Sequence, residues 1–299
     1  MDIKSMLGGL AFAFMWSSAF TSARMIVADA PPLTALSLRF LISGLLAVLV
    51  ARALGQSWRL TRGQWIATLI FGLCQNGLYL GLNFVAMRTI EASLAAIVAS
   101  TMPLLVALAG WVFLGERIRS LGVAGLVAGV VGVALIMGSR LTAGVDIYGL
   151  ALCAVGVLAL TFATLMVRGA TSGGNVLMIV GLQMLIGSAS LTVVALGTED
   201  WVVHWTLRLV GAFFYTTLVP GLVATYVWFW LVNRIGAVRA ATFHFLNPFF
   251  GVAIAAVLLG EALGVLDVVG VVIIAAGILA VQMSKARERA RDRNAMAAR

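Results

Sequence analysis

Ten runs of roughly 20 mostly apolar residues follow one another along this chain, parted by short links that carry most of its charge. They lie near 6–27, 33–53, 64–86, 91–113, 121–138, 147–167, 175–197, 208–231, 238–259 and 266–283. A run of that length, wound at about 1.5 Å per residue, crosses about 30 Å of hydrocarbon. With 62% hydrophobic and 10% charged residues, the sequence has too few polar groups to cover a water-facing surface. The runs lack the alternation of an outer-membrane barrel, and inside a bilayer only a helix satisfies its own backbone. The expected fold is therefore an all-α membrane protein of ten transmembrane helices. The first run exceeds a signal-peptide core and is read as a retained helix. Cys74 and Cys153 fall inside runs and read as small packing residues.

One segment returns. Pro103 through Leu114-Gly115-Glu116 recurs as Pro248 through Leu259-Gly260-Glu261, shifted by 145 residues, and the same shift pairs Gly125 with Gly270 and Gly132 with Gly277. A membrane chain made of two related halves is the signature of a secondary transporter with its substrate site between the repeats. Each half holds five runs, an odd number, so the second half enters the membrane inverted. The expected architecture is two inverted five-helix repeats, 1–140 and 145–283, around a central cavity, with a basic tail over 284–299. Exchange of the two halves' roles supplies alternating access.

The net charge of +9 is unevenly placed. With ten spans and both ends on one side, that side collects 15 of the 20 Lys and Arg residues, among them Arg117, Arg168, Arg234, Arg239 and Arg299. Positive charge stays on the cytoplasmic face, which places both termini in the cytoplasm and points to a lipid-bilayer partner, not a nucleic acid. Glu116 then ends the fourth span at the cytoplasmic side and Glu261 ends the ninth at the external side.

The ten-span layout, the Trp16-Ser17-Ser18-Ala19-Phe20 stretch and the two Pro…Leu-Gly-Glu segments carry a resemblance over nearly all of residues 5–283. The chain resembles the drug/metabolite transporter superfamily, EamA type, and within it most resembles the bacterial aromatic amino-acid exporters. The resemblance implies a bacterial inner-membrane location, export as the working direction, and a cavity lined mainly by spans three, four, eight and nine. It departs from the small multidrug-resistance branch, whose first span holds a glutamate, since no acidic residue lies between Met6 and Val27.

Pro103 and Pro248 sit mid-span at repeat-equivalent positions, and Pro220 sits mid-span in span eight. Proline removes one backbone hydrogen bond and displaces the carbonyl four residues earlier, here those of Ala99 and His244. These prolines are the expected hinges. Polar stripes accompany them: Asn76, Tyr79 and Asn83 in span three, Ser100 in span four, Tyr215 and Tyr226 in span eight, and His244, Asn247 and Gly251 in span nine. Polar side chains avoid lipid, so the stripes are expected to converge on a water-accessible cavity. Trp16, mid-span, joins them, whereas Trp228 and Trp230, near a span end, are assigned to the interfacial aromatic belt. Arg39 admits two readings, a side chain reaching back to the external interface or a substrate ligand.

The interior charge inventory narrows the substrate. An organic phosphate needs several cations and a cationic drug needs a buried carboxylate, but no acid lies near the centre of any span. A zwitterion needs neither in excess. Amino acids, aromatic and other neutral ones, carried by facilitated transport, are the expected substrates. Two histidines and no intramembrane carboxylate leave no constellation for an enzyme, a metal or a cofactor, and no Gly-x-x-x-x-Gly-Lys-Ser/Thr loop exists to power a pump. Export of other small metabolites or drugs with proton coupling is the alternative, and a non-transporting receptor or assembly factor is the competing class. The sequence leaves oligomeric state open.

Overall fold

In the computed structural model, residues 2–115, 118–166, 173–236 and 240–297 are described. Glu116 of the first repeated motif, and Arg117, Arg168, Arg239 and Arg299 of the basic set, lie outside the described residues. Ten apolar helices long enough to span a membrane follow in order. They are α1 (Ile3–Asp29), α2 (Pro32–Ala53), α3 (Arg62–Ala86), α4 (Ala92–Leu114), α5 (Ser120–Thr142), α6 (Ile147–Met166), α7 (Val176–Thr198), α8 (Leu207–Val232), α9 (Thr242–Leu259) and α10, whose spanning part is Val265–Ser284. No strand occurs among the described residues. The spans fall where the apolar runs place them, with one extension: α10 continues unbroken to Ala297, so most of the basic tail is helical.

The repeated Leu-Gly-Glu motif has a local cause. Gly115 and Gly260 both terminate a helix in the left-handed region, at φ 63° and 69°. A residue there must tolerate a positive φ, and glycine does so without a Cβ clash. Elsewhere side chains close the helix ends. Thr61 and Gln64 form a reciprocal capping box at the start of α3, each side chain taking the other's backbone N–H.

The chain forms two compact units, each drawing helices from both sequence halves. One comprises 1–18, 96–145 and 224–299, and the other 19–95 and 146–223. In the first unit α5 and α10 pack antiparallel through glycines. A Cβ on Gly125 would lie 2.7 Å from the Gly277 carbonyl oxygen, and one on Gly132 would lie 2.8 Å from that of Gly270. The partnering is crossed: Gly125 corresponds in the repeat to Gly270 but meets Gly277. The Arg140 guanidinium closes one end of this seam on the Asp267 carboxylate, at 2.9 and 3.2 Å, while Asp267 also accepts from the Gly264 N–H.

In the second unit α2 and α7 make the corresponding antiparallel pair. A Cβ on Gly44 would approach the Gly181 carbonyl oxygen to 3.0 Å, a Cβ on Gly181 the Gly44 oxygen to the same distance, and the Ser188 hydroxyl donates to the Ser37 carbonyl. The ends are capped reciprocally. Glu199, just past α7, accepts from the Leu33 and Thr34 N–H groups opening α2, and Gln56, just past α2, accepts from the Met178 N–H opening α7. These carboxylate and amide oxygens satisfy donors that a helix start leaves unpaired.

Large apolar side chains lie outward. Leu38, Leu41, Leu45 and Leu49 expose one face of α2, and Val123, Val127 and Val130 one face of α5. Such stripes are unfavourable in water and match a hydrocarbon solvent.

Candidate functional site

The prolines mark interruptions. Around Pro103, α4 breaks at Thr101 between Ala92–Ser100 and Met102–Leu114. Around Pro248, α9 opens as a 3₁₀ turn over Thr242–Leu246 and becomes α-helical from Asn247. Leu246 and Thr101 are repeat-equivalent, so both helices change winding at the same place. The Ser100 and Thr101 hydroxyls fold back onto the Ala96 and Val98 carbonyls, each at 2.6 Å, a bond pattern that bends helices. One expectation is corrected here. The His244 carbonyl is not left open by Pro248, because the tight 3₁₀ turn brings the Asn247 N–H onto it.

Of two further interruptions, the sequence marked the one at Pro220 and not the one in α3. The middle of α3, Gly72–Leu80, is π-wound, and so is Val219–Val223 in α8, which contains Pro220. Val219–Val223 corresponds in the repeat to 74–78, inside the first π segment. Such wide turns inside α-helices frequently occur at functional sites.

In the first unit Trp16, His244 and Asn247 come together. The His244 imidazole lies 5.2 Å from the Phe12 ring, 5.2 Å from Trp228 and 6.4 Å from Trp16. Asn247 Nδ2 stands 2.9 Å from His244 Nδ1, and the Ser17 hydroxyl donates to the Asn247 carbonyl. The Asn247 side-chain oxygen is buried without a hydrogen-bond partner. Ser100 is buried in this unit, and Gly251 packs so closely that a Cβ there would lie 2.6 Å from that of Ala96. Tyr226 is 72% exposed. Phe12, four residues before Trp16 on the same helix face, belongs to the ring group, and a phenylalanine within an apolar run carries no sequence signal that sets it apart.

The belt assignment of two tryptophans is also corrected. Trp228 packs against Phe12 and His244, and the Trp230 ring lies where a Cβ on Gly8 would be, at 2.5 Å. Both join the cluster around Leu231, Ala240 and Phe243. The physical reason is the Gly8–Gly9 pair, whose bare backbone admits the rings of Trp230 and Phe243.

In the second unit Asn76, Tyr79 and Asn83 share the buried face of α3. Asn76 fills the notch left by Gly187 of α7. The Asn83 amide donates to the Tyr79 carbonyl at 2.7 Å and accepts from the Cys153 thiol of α6 at 3.3 Å. Tyr79 backbone atoms abut Gly156. Tyr215 is half-buried in α8 and Pro220 is buried. Cys74 and Cys153 are free thiols.

The sequence pattern of the EamA-like transporter family matches residues 3–138 and again 147–283. The chain belongs to the EamA-like transporter family. It is thus a multi-pass membrane transporter and not an enzyme. It is 26% identical over 283 residues to the uncharacterized transporter YvbV of Bacillus subtilis, covering 94% of this chain and 92% of that one. It is 25% identical over 280 residues to Protein PecM of Dickeya dadantii, covering 91% of each. A crystal structure 20% identical in sequence superposes with a TM-score of 0.68 over 96% of this chain and all of that one, a shared fold.

Proposed function

We propose that this EamA transporter exports neutral amino acids, aromatic ones included, across a bacterial inner membrane, by facilitated alternating access between two inverted repeats. The single observation that carries the substrate reading is the His244 group. Three aromatic rings surround an imidazole, and a buried amide oxygen on Asn247 lacks a donor. Ring faces and an amide oxygen recognise an ammonium, and the same rings accept a planar side chain. Ser100 and Tyr226 in the first unit, and Asn76, Tyr79, Asn83 and Tyr215 in the second, are proposed as further substrate-contacting residues, with Pro103, Pro220 and Pro248 as hinges.

The inverted arrangement is supported by the crossed glycine contacts. Gly125 meets the mate of Gly132, and Gly132 meets the mate of Gly125, the pattern a two-fold relation generates. The double match of the family pattern, 3–138 and 147–283, supports the same reading. Both termini are proposed to be cytoplasmic on the charge distribution.

The test is counterflow in liposomes holding the purified protein, with labelled phenylalanine, threonine and an organic cation, with and without a pH gradient. Saturable amino-acid counterflow independent of the gradient is expected. Cation transport that requires the gradient, with no amino-acid counterflow, would replace this reading by a proton-coupled drug exporter.

A further inference from the structure

Arg39 sits eight residues into α2, about 10 Å along the helix from its start. The residue is buried, only 7% exposed. Its Nε has no hydrogen-bond partner, and neither has the hydroxyl of Ser43, one turn on and 1% exposed. Among the described residues no carboxylate pairs with it; the ion pairs there join Arg140 to Asp267 and Arg234 to Asp2. Among the described residues the ring it stacks on is that of its neighbour Phe40, 5.2 Å away.

The opposite wall comes from the π-wound turn of α8. A Cβ on Gly221 would have three polar atoms as nearest neighbours: the Thr216 carbonyl oxygen at 3.2 Å, and Arg39 Nη2 and the Ser43 oxygen at 3.6 Å each. Gly221 therefore offers the guanidinium only backbone, next to Pro220, which has no N–H to give. Inside a membrane protein a guanidinium with no counter-charge is costly, and such groups mark ligand paths. Two adjacent donors without acceptors define what is missing: a planar anion accepting two or three hydrogen bonds.

We propose that Arg39, Ser43 and the Gly221 turn form a carboxylate-binding subsite. The subsite lies wholly within the second unit, and it rests on the amino-acid reading given above only for the identity of the carboxylate. The guanidinium fork donates to both carboxylate oxygens and the Ser43 hydroxyl adds a third bond, a geometry that a lysine ammonium cannot reproduce. The π-wound turn, already short of one backbone bond at Pro220, is the part of α8 that yields when the carboxylate enters.

The experiment measures binding by ligand-induced thermal stabilisation of the purified full chain, with phenylalanine, phenylalaninamide, benzoate and chloride as probes. Wild type is expected to bind phenylalanine over its amide by roughly tenfold or more, the size of a charged hydrogen-bond pair. Arg39→Lys, which keeps the charge, and Ser43→Ala, which removes one donor, should each bring that preference down several-fold while amide binding stays unchanged. An unchanged preference in both variants would overturn the subsite and leave the amino-acid reading standing. Stabilisation by benzoate that is lost in Arg39→Lys, with no amino acid bound by wild type, would support the subsite and sink the substrate reading. Chloride stabilising as strongly as benzoate would overturn the carboxylate assignment in favour of an inorganic-anion site.

Discussion

Single residues carry two kinds of constraint. Gly260 is held by backbone geometry, since its φ of 69° strains any residue with a Cβ. Gly260→Ala is expected to cost about 1–2 kcal/mol, read as a lower unfolding temperature in detergent, whereas Gly138→Ala, with open space around it, should leave that temperature unchanged or slightly raised. Trp16 is held by its neighbours Phe12 and His244, and its proposed role is chemical. Trp16→Leu keeps apolar volume but removes an aromatic face, so counterflow of phenylalanine should fall several-fold more than that of threonine, about 1 kcal/mol of ring contact. Equal losses for the two substrates would make Trp16 a packing residue. Glycine in the repeated motif was visible in the sequence, but its left-handed conformation was not, because a backbone angle leaves no mark on residue identity beyond the glycine itself.

At the scale of elements, the glycine seams and the broken helices divide the labour. A Cβ on Gly277 would lie 2.6 Å from the Gly125 carbonyl oxygen and 2.9 Å from the Gly129 nitrogen, backbone atoms that cannot rotate away. Gly277→Ala must therefore push α5 and α10 apart, at about 1–3 kcal/mol, and thermal unfolding compared with Gly138→Ala measures it. A wild-type melting temperature in Gly277→Ala would show the seam to be loose. The interruptions are the opposite case. Pro103→Ala and Pro248→Ala should reach the membrane in near-normal amounts yet slow counterflow, because a continuous helix replaces a bend. Undiminished rates in both would reduce these bends to static packing. The prolines announced their breaks in the sequence through a missing N–H and a ring clash. The π-wound Gly72–Leu80 carried no such mark, since its wide turns depend on how α3 packs on α6 and α7.

At the scale of the molecule, the charge bias and the odd number of spans per half make one joint statement about topology. A reporter fused after Arg140 and one fused after Arg299 should lie on opposite sides of the membrane, the second in the cytoplasm. The same side for both would remove the inverted repeat. The compact units cut across the halves: each unit combines helices of both, such as α5 with α10 and α2 with α7. Neither half is then a folding domain, and expression of 1–140 alone should yield aggregated protein, because α2 and α5 would lack the partners that fill their glycine faces.

The sequence by itself determined the spans, the two-fold repetition, the proline breaks and the family, because each depends on residue type at a position along the chain. Hydrocarbon selects apolar runs, proline lacks a donor, and duplication copies letters. It also put Trp16, His244 and Asn247 into one list, and the three lie near one another in the structure, since polar and aromatic residues mid-span have few places to go. What only the tertiary structure decided was who faces whom. Trp228 and Trp230 read as belt residues until the structure set Trp228 against Phe12 and the bare backbone of Gly8 gave the Trp230 ring a seat on α1. Arg39 admitted two readings in the sequence, and only the structure shows that it is buried against Gly221 of α8, with no carboxylate paired to it among the described residues. Burial and partnership are properties of surfaces brought together from distant parts of the chain, and no local pattern in either surface records the other.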